Sequence, residues 1–356
     1  MSGLANSPLD AIYYNPAALA DLKGDQFMIG GAIYDFPVSY RNDEGVRLRN
    51  DQVSFLQNWA YSSHWNNLSW GIGMYGSVGT GFRFSKDEDH GIVHKHRAQM
   101  GNLYTSPSIA YRFNDMLALG AGINFVYGLM EMELPLGHMR STETFYLNAS
   151  GFALSGNVGL LFSPHERFSL GLRWRSRTKI ELDGHARAGN IHDKVTVHLT
   201  WPDIYTAGLK FDITKKLRFL FDWELLEYST TGEKSYFEYE TVSALNSRFL
   251  PGMKDGYRTH FGLEYDYSDT LTFRAGNQNN PQSITSDQTN PLSPGNVFHT
   301  YHLGLGWKMS PKVDLDFALI VIDPSTARVS DSATGYNGVY HNSSKGFEFS
   351  LTYHFD

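Results

Sequence analysis

The 356-residue chain has no cysteine, which excludes a disulfide framework, thiolate metal centres and cysteine nucleophiles. No stretch approaches the roughly 18 to 20 consecutive apolar residues that a membrane-spanning helix needs, so any membrane crossing must be made by a closed barrel. Charge is sparse and mildly negative, −7 overall, and offers no basic field to nucleic acid. The sequence also lacks a G-x-S-x-G elbow, a P-loop and a pair of carboxylates placed for acid–base work, so no enzymatic activity and no cofactor are expected. The first residues carry neither the basic patch nor the apolar core of a signal peptide; the expectation is a mature or shortened form, or a chain that is not secreted.

What the chain has in abundance is period-two patterning. In "LALGAGINFVYGLM", Leu117, Leu119, Ala121, Ile123, Phe125, Tyr127 and Leu129 share one face, and Ala118, Gly120, Gly122, Asn124, Val126 and Gly128 share the other. "KGFEFSLTYHF" repeats the split, with Phe347, Phe349, Leu351, Tyr353 and Phe355 set against Gly346, Glu348, Ser350, Thr352 and His354. In "VDLDFALIV" and "YRTHFGLEYDY" the second face carries charge: Asp314, Asp316, Arg258, His260, Glu264 and Asp266. Alternation alone fits both a soluble sandwich and an outer-membrane barrel, because it does not say whether lipid or a second sheet meets the apolar face.

Three features favour the barrel. The strands run about 10 to 14 residues, as a tilted crossing requires, whereas soluble strands average about 5 to 6. Tight turns at Asn66-Asn67, Asn114-Asp115, Ser163, Thr214, Ser268-Asp269 and Ser310 alternate with longer polar loops. Aromatic residues such as Trp59, Trp65, Trp70, Tyr111, Phe113, Trp174, Tyr265 and Tyr267 gather toward strand ends, as interfacial belts do. The expected strands are 25–40, 52–65, 68–84, 97–113, 117–131, 146–162, 168–182, 194–211, 217–230, 256–267, 271–279, 297–309, 313–323 and 345–355. The fold class is therefore all-β, an antiparallel transmembrane barrel of about 14 strands.

Before the first strand stands "AIYYNPAAL", which reads as a short helix: Asn15 suits an N-cap, Pro16 a first helical position, and Gly24 a terminator. "SPLDAIYYNPAAL" resembles the N-terminal hatch motif of the FadL/TodX-type outer-membrane transporters, with Asn15, Pro16 and Ala17 as its core. The resemblance continues through "NLYTSPSIAYRFNDMLALGAGINFVYG", through "VHLTWPDIYTAGLKFDITKKLRFLFDWELLEYS", and through "GMKDGYRTHFGLEYDYSDTLTFRAG" to the terminal "FEFSLTYHF", which Asp356 follows.

The resemblance implies a monomeric barrel over residues 25–356, in the Gram-negative outer membrane, plugged by residues 1–24. Family members usually carry about twenty more residues before this motif and a signal peptide, so the hatch is expected to be only the downstream part of one. The implied cargo is a hydrophobic small molecule (fatty acid, hydrocarbon or detergent mimic), and the implied surroundings are outer-membrane lipid and lipopolysaccharide. Release is implied to be lateral, through a kinked third strand; here "LSWGIGMYGSVGTGFRF" nominates Gly76, Ser77, Gly79 and Gly81, since glycine tolerates bulges and weakens a ladder. An alternative for the glycines is that they make room for plug side chains.

Arg173, Arg175 and Arg177 share the non-lipid face, with Arg258 and Arg274 inward elsewhere; they form either a lumen salt-bridge network or a seat for a carboxylate ligand. Glu131 and Glu133 stand where fatty-acid members tend to place a basic residue, which counts against a fatty acid and leaves neutral hydrophobic compounds open. The loops after Leu129 and Leu182 are shorter than in fatty-acid members. Asp87, Asp89, His90, His94 and His96 lack a spacing that would preorganise metal ligands, so no metal is assigned. Competing functions for the same architecture are a general diffusion porin, an adhesive barrel or an outer-membrane hydrolase.

Overall fold

In a computed structural model, described for residues 1–50, 52–289, 299–323, 325–333 and 335–355 (side chains of 77–80 excepted), successive strands pair antiparallel with their chain neighbours until the last pairs with the first. The wall has fourteen strands. They are β1 (Gln26–Asp35), β2 (Val53–Trp65), β3 (Leu68–Phe84), β4 (His96–Asn114), β5 (Leu117–Pro135), β6 (Thr144–His165), β7 (Phe168–Arg175 resuming as Thr178–Ala188), β8 (Ile191–Trp201 resuming as Ile204–Asp212), β9 (Leu217–Leu226), β10 (Gly256–Asp266), β11 (Leu271–Asn279), β12 (His299–Ser310), β13 (Val313–Ile322) and β14 (Lys345–His354). Closure runs from Gln26 opposite His354 to Asp35 opposite Lys345, so no edge is left at this seam.

The period-two faces behave as lipid and lumen faces. On β5, Leu119, Ile123, Phe125 and Tyr127 are exposed to the outside, while Ala118, Asn124 and Val126 are buried within. On β4 the exposed apolar face runs from Leu103 to Phe113, eleven positions, the length of one tilted membrane crossing. The short turns all lie at one end; Asn66, at positive φ, sits in the first of them.

Several strand boundaries differ from expectation, each for a local reason. The expected strand 25–40 ends at Asp35, because Pro37 intervenes and Val38–Arg41 joins a separate four-stranded sheet with Arg47–Arg49, Ser325–Val329 and Gly338–Asn342. This cap has its own apolar core, including Val38, Tyr40, Leu48, Phe84, Ile92 and Tyr340, at the end opposite the short turns. β9 stops at Leu226 and is followed by a helix, Tyr228–Lys234. β7 and β8 are broken at the same level, at Ser176-Arg177 and at Pro202-Asp203; proline has no N–H to give to the ladder. Asp203 fills the notch by accepting from Trp174 Nε1 (3.0 Å), Arg177 N (3.0 Å) and Arg177 Nε (2.6 Å).

Candidate functional site

Residues 1–24 lie inside the barrel. The helix α1 (Pro8–Tyr14) is capped by Ser7, whose side chain accepts from Asp10 N, and Asn15 caps the 3₁₀ helix Pro16–Asp21 by accepting from Ala17 N (3.1 Å). The amide of Asn15 also donates to Ser2 O (2.9 Å) and to Leu160 O on β6 (3.1 Å). Ser2 N donates to Asp222 on β9 (3.0 Å), Asn157 Nδ2 to Ile12 O (3.3 Å), and Asn6 Nδ2 to Glu264 on β10 (2.9 Å). Arg112 reaches Asp21 and the Ala20 carbonyl at the short-turn end.

The wall is shaped for this segment. A Cβ on Gly120 would overlap the Pro16-Ala17 backbone, and one on Gly159 would overlap Asn15 Oδ1. The Asn-Pro-Ala core therefore sits where two strands offer bare backbone, a close approach that only glycine permits. Gly71 and Gly73 on β3 serve the same end, facing Ile12, Leu9 and Leu19 at 3.2 to 3.3 Å.

Gly76 and Gly81 do something else. Among the described residues β2 and β3 pair only from Trp65 opposite Leu68 to Trp59 opposite Met74, and the next link is an isolated bridge between Asn50 and Phe84. Over that interval β2 remains fully paired to β1, and β3 to β4, with a register shift between Gly76 and Val78. The ladder is thus interrupted on this seam, beside the lipid-exposed side chains of Ile33, Phe55 and Leu103; a shorter lapse lies between β6 and β7, from Asn157 opposite Arg175 to Ser150 opposite Asp183. A Cβ on Gly76 would lie 3.5 Å from Leu56 Cδ2 on β2, and one on Gly81 would lie 2.8 Å from Nε2 of Gln52, just before β2, so these two side chains stand in the gap where hydrogen bonds would run. Ser77 is the residue skipped at that register shift and Gly79 pairs with Gly101; beyond this both fall outside the described residues.

A cavity of about 720 Å³ adjoins this seam, above α1. Leu56, Tyr75 and Gly76 form its seam side, Leu9 and Tyr13 its floor, and Arg274, Asp316 and Glu348 are among its polar lining. A second cavity of about 650 Å³ lies among the outer parts of β4 to β8, beside Arg97, Tyr146 and Arg187.

The structure holds four of the five lumen arginines in three separate settings. Arg173 and Arg258 share Glu224 (2.9 and 3.3 Å), and His260 joins them at 3.3 Å. Arg274 bridges Glu264 (3.1 Å) and Asp316 (2.5 Å). Arg175 is buried against Tyr13 and Tyr75. Arg177 is a correction: the break after Arg175 shifts the strand phase, and its guanidinium turns to Asp203 and Glu227, away from the row formed by Arg173 and Arg175. Of the residues weighed for metal, Asp87 and His90 pair with each other and Asp87 also accepts from Arg47 N, while His94 goes to Thr142 O and His96 to Tyr336. Leu56 and Gln52 were missed from sequence, since neither differs in type from other strand residues; the only local signal was their place opposite a glycine-rich strand.

The family model described as "Outer membrane protein transport protein (OMPP1/FadL/TodX)" matches residues 1–355. The chain belongs to this family. Among FadL/TodX relatives, Outer membrane protein P1 of Haemophilus influenzae is 22% identical over 368 residues, covering 85% of this chain and 77% of its own. The long-chain fatty acid transport protein of Escherichia coli K12 is 22% identical over 321 residues, covering 74% and 70%. The fold is shared with a Pseudomonas aeruginosa FadL homologue (TM-score 0.83, 16% identity, 100% and 96% covered). It is shared as well with the toluene transporter TodX of P. putida (TM-score 0.83, 15% identity, 100% and 96% covered). This FadL/TodX protein is a Gram-negative outer-membrane transporter of hydrophobic compounds and not an enzyme.

Proposed function

We propose that a neutral hydrophobic solute collects in the lumen cavity and leaves sideways into the membrane through the interrupted β2–β3 seam, while residues 1–24 block the straight path. The observation that carries this reading is the lapse of the ladder between the Trp59–Met74 pair and the Asn50–Phe84 bridge, beside a cavity. Unpaired backbone at membrane depth is expensive and is tolerated where it lines a cavity or is covered by protein. A lateral exit also spares an apolar solute a second passage through water, worth about 0.8 kcal/mol per CH₂ group kept out of it.

The neutral class is favoured by the arginines. Each of Arg173, Arg175, Arg177, Arg258 and Arg274 is already held by protein groups, and Arg97 by Glu131 (2.9 Å). At Arg173, Arg177, Arg258, Arg274 and Arg97 a fatty carboxylate would have to displace a protein carboxylate. The E. coli relative is named for long-chain fatty acids and TodX for toluene; this lining suits the neutral end of that range. One barrel encloses the cavity, so a monomer suffices, and lipid and lipopolysaccharide form its surroundings.

The test is a Leu56→Cys/Gly76→Cys pair joined by a short, reductant-cleavable bis-thiosulfonate in a chain without native cysteine. Uptake of a radiolabelled alkylbenzene should fall on cross-linking and return on reduction. Undiminished uptake in the cross-linked protein would overturn the lateral route.

A further inference from the structure

Arg175 is the last residue of β7 before its break, and it is buried at 5% exposure. Arg173, two positions earlier, has the carboxylate of Glu224 at 2.9 Å; among the described residues no carboxylate forms an ion pair with Arg175. Its hydrogen bonds go instead to the backbone carbonyl of Tyr13 (2.8 Å) and, more loosely, to the hydroxyl of Tyr75 (3.4 Å). The guanidinium lies 4.7 Å from the Tyr13 ring centre and 5.9 Å from that of Tyr75. Tyr13 and Tyr75 touch edge to face at 5.1 Å, and Tyr75 stacks on Tyr104 of β4 at 5.5 Å. Two rings and one carbonyl thus do for this cation what a carboxylate does for its neighbour.

The two partners belong to different working parts. Tyr13 is on the plug helix, and Tyr75 immediately precedes Gly76, where β3 has parted from β2 and its register against β4 shifts. If Tyr13 moves, Arg175 loses its carbonyl acceptor while still buried, and it must either follow the plug or swing toward Tyr75. Both responses disturb the ring on the seam strand.

We propose that Arg175 couples the plug to the seam: it is a positioning residue whose cation–π and hydrogen-bond contacts tie the placement of α1 to the opening between β2 and β3. This rests on the lateral route proposed above. The coupling is read without transport, so the failures separate: the uptake experiment judges the route, and the following one judges the coupling.

A nitroxide on Asn6→Cys reports plug mobility by electron paramagnetic resonance in detergent, and the cross-linking rate of the Leu56→Cys/Gly76→Cys pair reports the seam. Arg175→Met keeps the bulk and removes the charge and donors. It is expected to mobilise the plug label and to change the seam rate by about 5-fold or more, the lower range of ordinary coupling between sites. Arg175→Lys, which keeps the charge, should fall between. Tyr75→Leu, altered only on the seam side, should mobilise the plug label as well, and serves if Arg175→Met does not fold by heat-modifiable mobility. A mobile plug with an unchanged seam rate in Arg175→Met, or an immobile plug in Tyr75→Leu, would reduce Arg175 to a plug anchor and overturn the coupling.

Discussion

Asn15 on the plug donates its side-chain amide to the backbone carbonyl of Leu160 on β6, at 3.1 Å, through a position on the wall where Gly159 leaves room for it. The same side chain holds Ser2 O and caps Ala17 N. Asn15→Ala removes three hydrogen bonds from a buried site, at about 1 kcal/mol each. The barrel should stay folded, since none of its ladder bonds is lost. Protease accessibility of residues 1–24 should rise and retention of a bound hydrophobic probe should fall; a plug equally protected in the variant would show that packing alone holds it.

Gly76 bears the opposite expectation to Gly120. Gly76→Trp should fill the seam beside Leu56 and lower uptake at least several-fold, with heat-modifiable mobility unchanged. Gly120→Leu should instead collide with Pro16-Ala17 and displace the plug. Equal phenotypes in uptake and plug proteolysis would contradict the division of these glycines into seam and plug positions.

Glu224 holds Arg173, Arg258, His260 and the Thr206 hydroxyl in a buried cluster. Glu224→Ala leaves the buried Arg173 and the partly buried Arg258 without their carboxylate, a loss of about 3 kcal/mol. Thermal unfolding of the detergent-solubilised barrel should move down accordingly, and Glu224→Gln should recover part of the loss. An unchanged transition in Glu224→Ala would mean that lumen water, not Glu224, compensates the arginines.

A plugged barrel should not conduct like a porin. Planar-bilayer recordings of the intact chain should give no large, steady conductance, and Gly120→Leu should raise channel activity. A steady porin-sized current from the unmodified protein would favour the diffusion-porin alternative.

His96 gives the cap a pH dependence. It stands seven positions before Leu103, where the lipid-facing side of β4 begins, and it shares a 2.6 Å hydrogen bond with the Tyr336 hydroxyl. Burial, with a smaller contribution from His94, lowers its pKa from 6.5 to about 4. The folded cap therefore holds His96 neutral, and the unfolded segment takes up the proton first. Its contribution is complete above about pH 6.5 and is lost progressively as pH falls toward 4. Limited proteolysis of the cap should quicken between pH 7 and pH 4.5, and His96→Gln should flatten that slope.

The strands and their lipid and lumen faces were legible from residue order, because a β-strand exposes alternate residues to opposite environments and lipid demands that one environment be apolar; the hatch was only implied by the family resemblance. The Asn15-Pro16-Ala17 turn was legible because capping is local chemistry. The membership of Arg177 in the lumen row was not, since a two-residue break changes the phase of everything after it, and nothing at Ser176 announces the break. The cap sheet was hidden as well, because its strands come from segments almost 300 residues apart and only their shared core makes them strands. The seam was the least visible: glycines on β3 permit an interruption, but what faces them is decided by the register of β2 against both neighbours. Sequence thus determined an antiparallel barrel with an apolar belt and a capped turn before its first strand, through short-range periodicity and capping. The tertiary structure alone decided where the wall is unpaired, that Leu56 and Gln52 stand in the gap, and that Arg175 is held by two tyrosines, because each depends on which strand a side chain meets across the barrel.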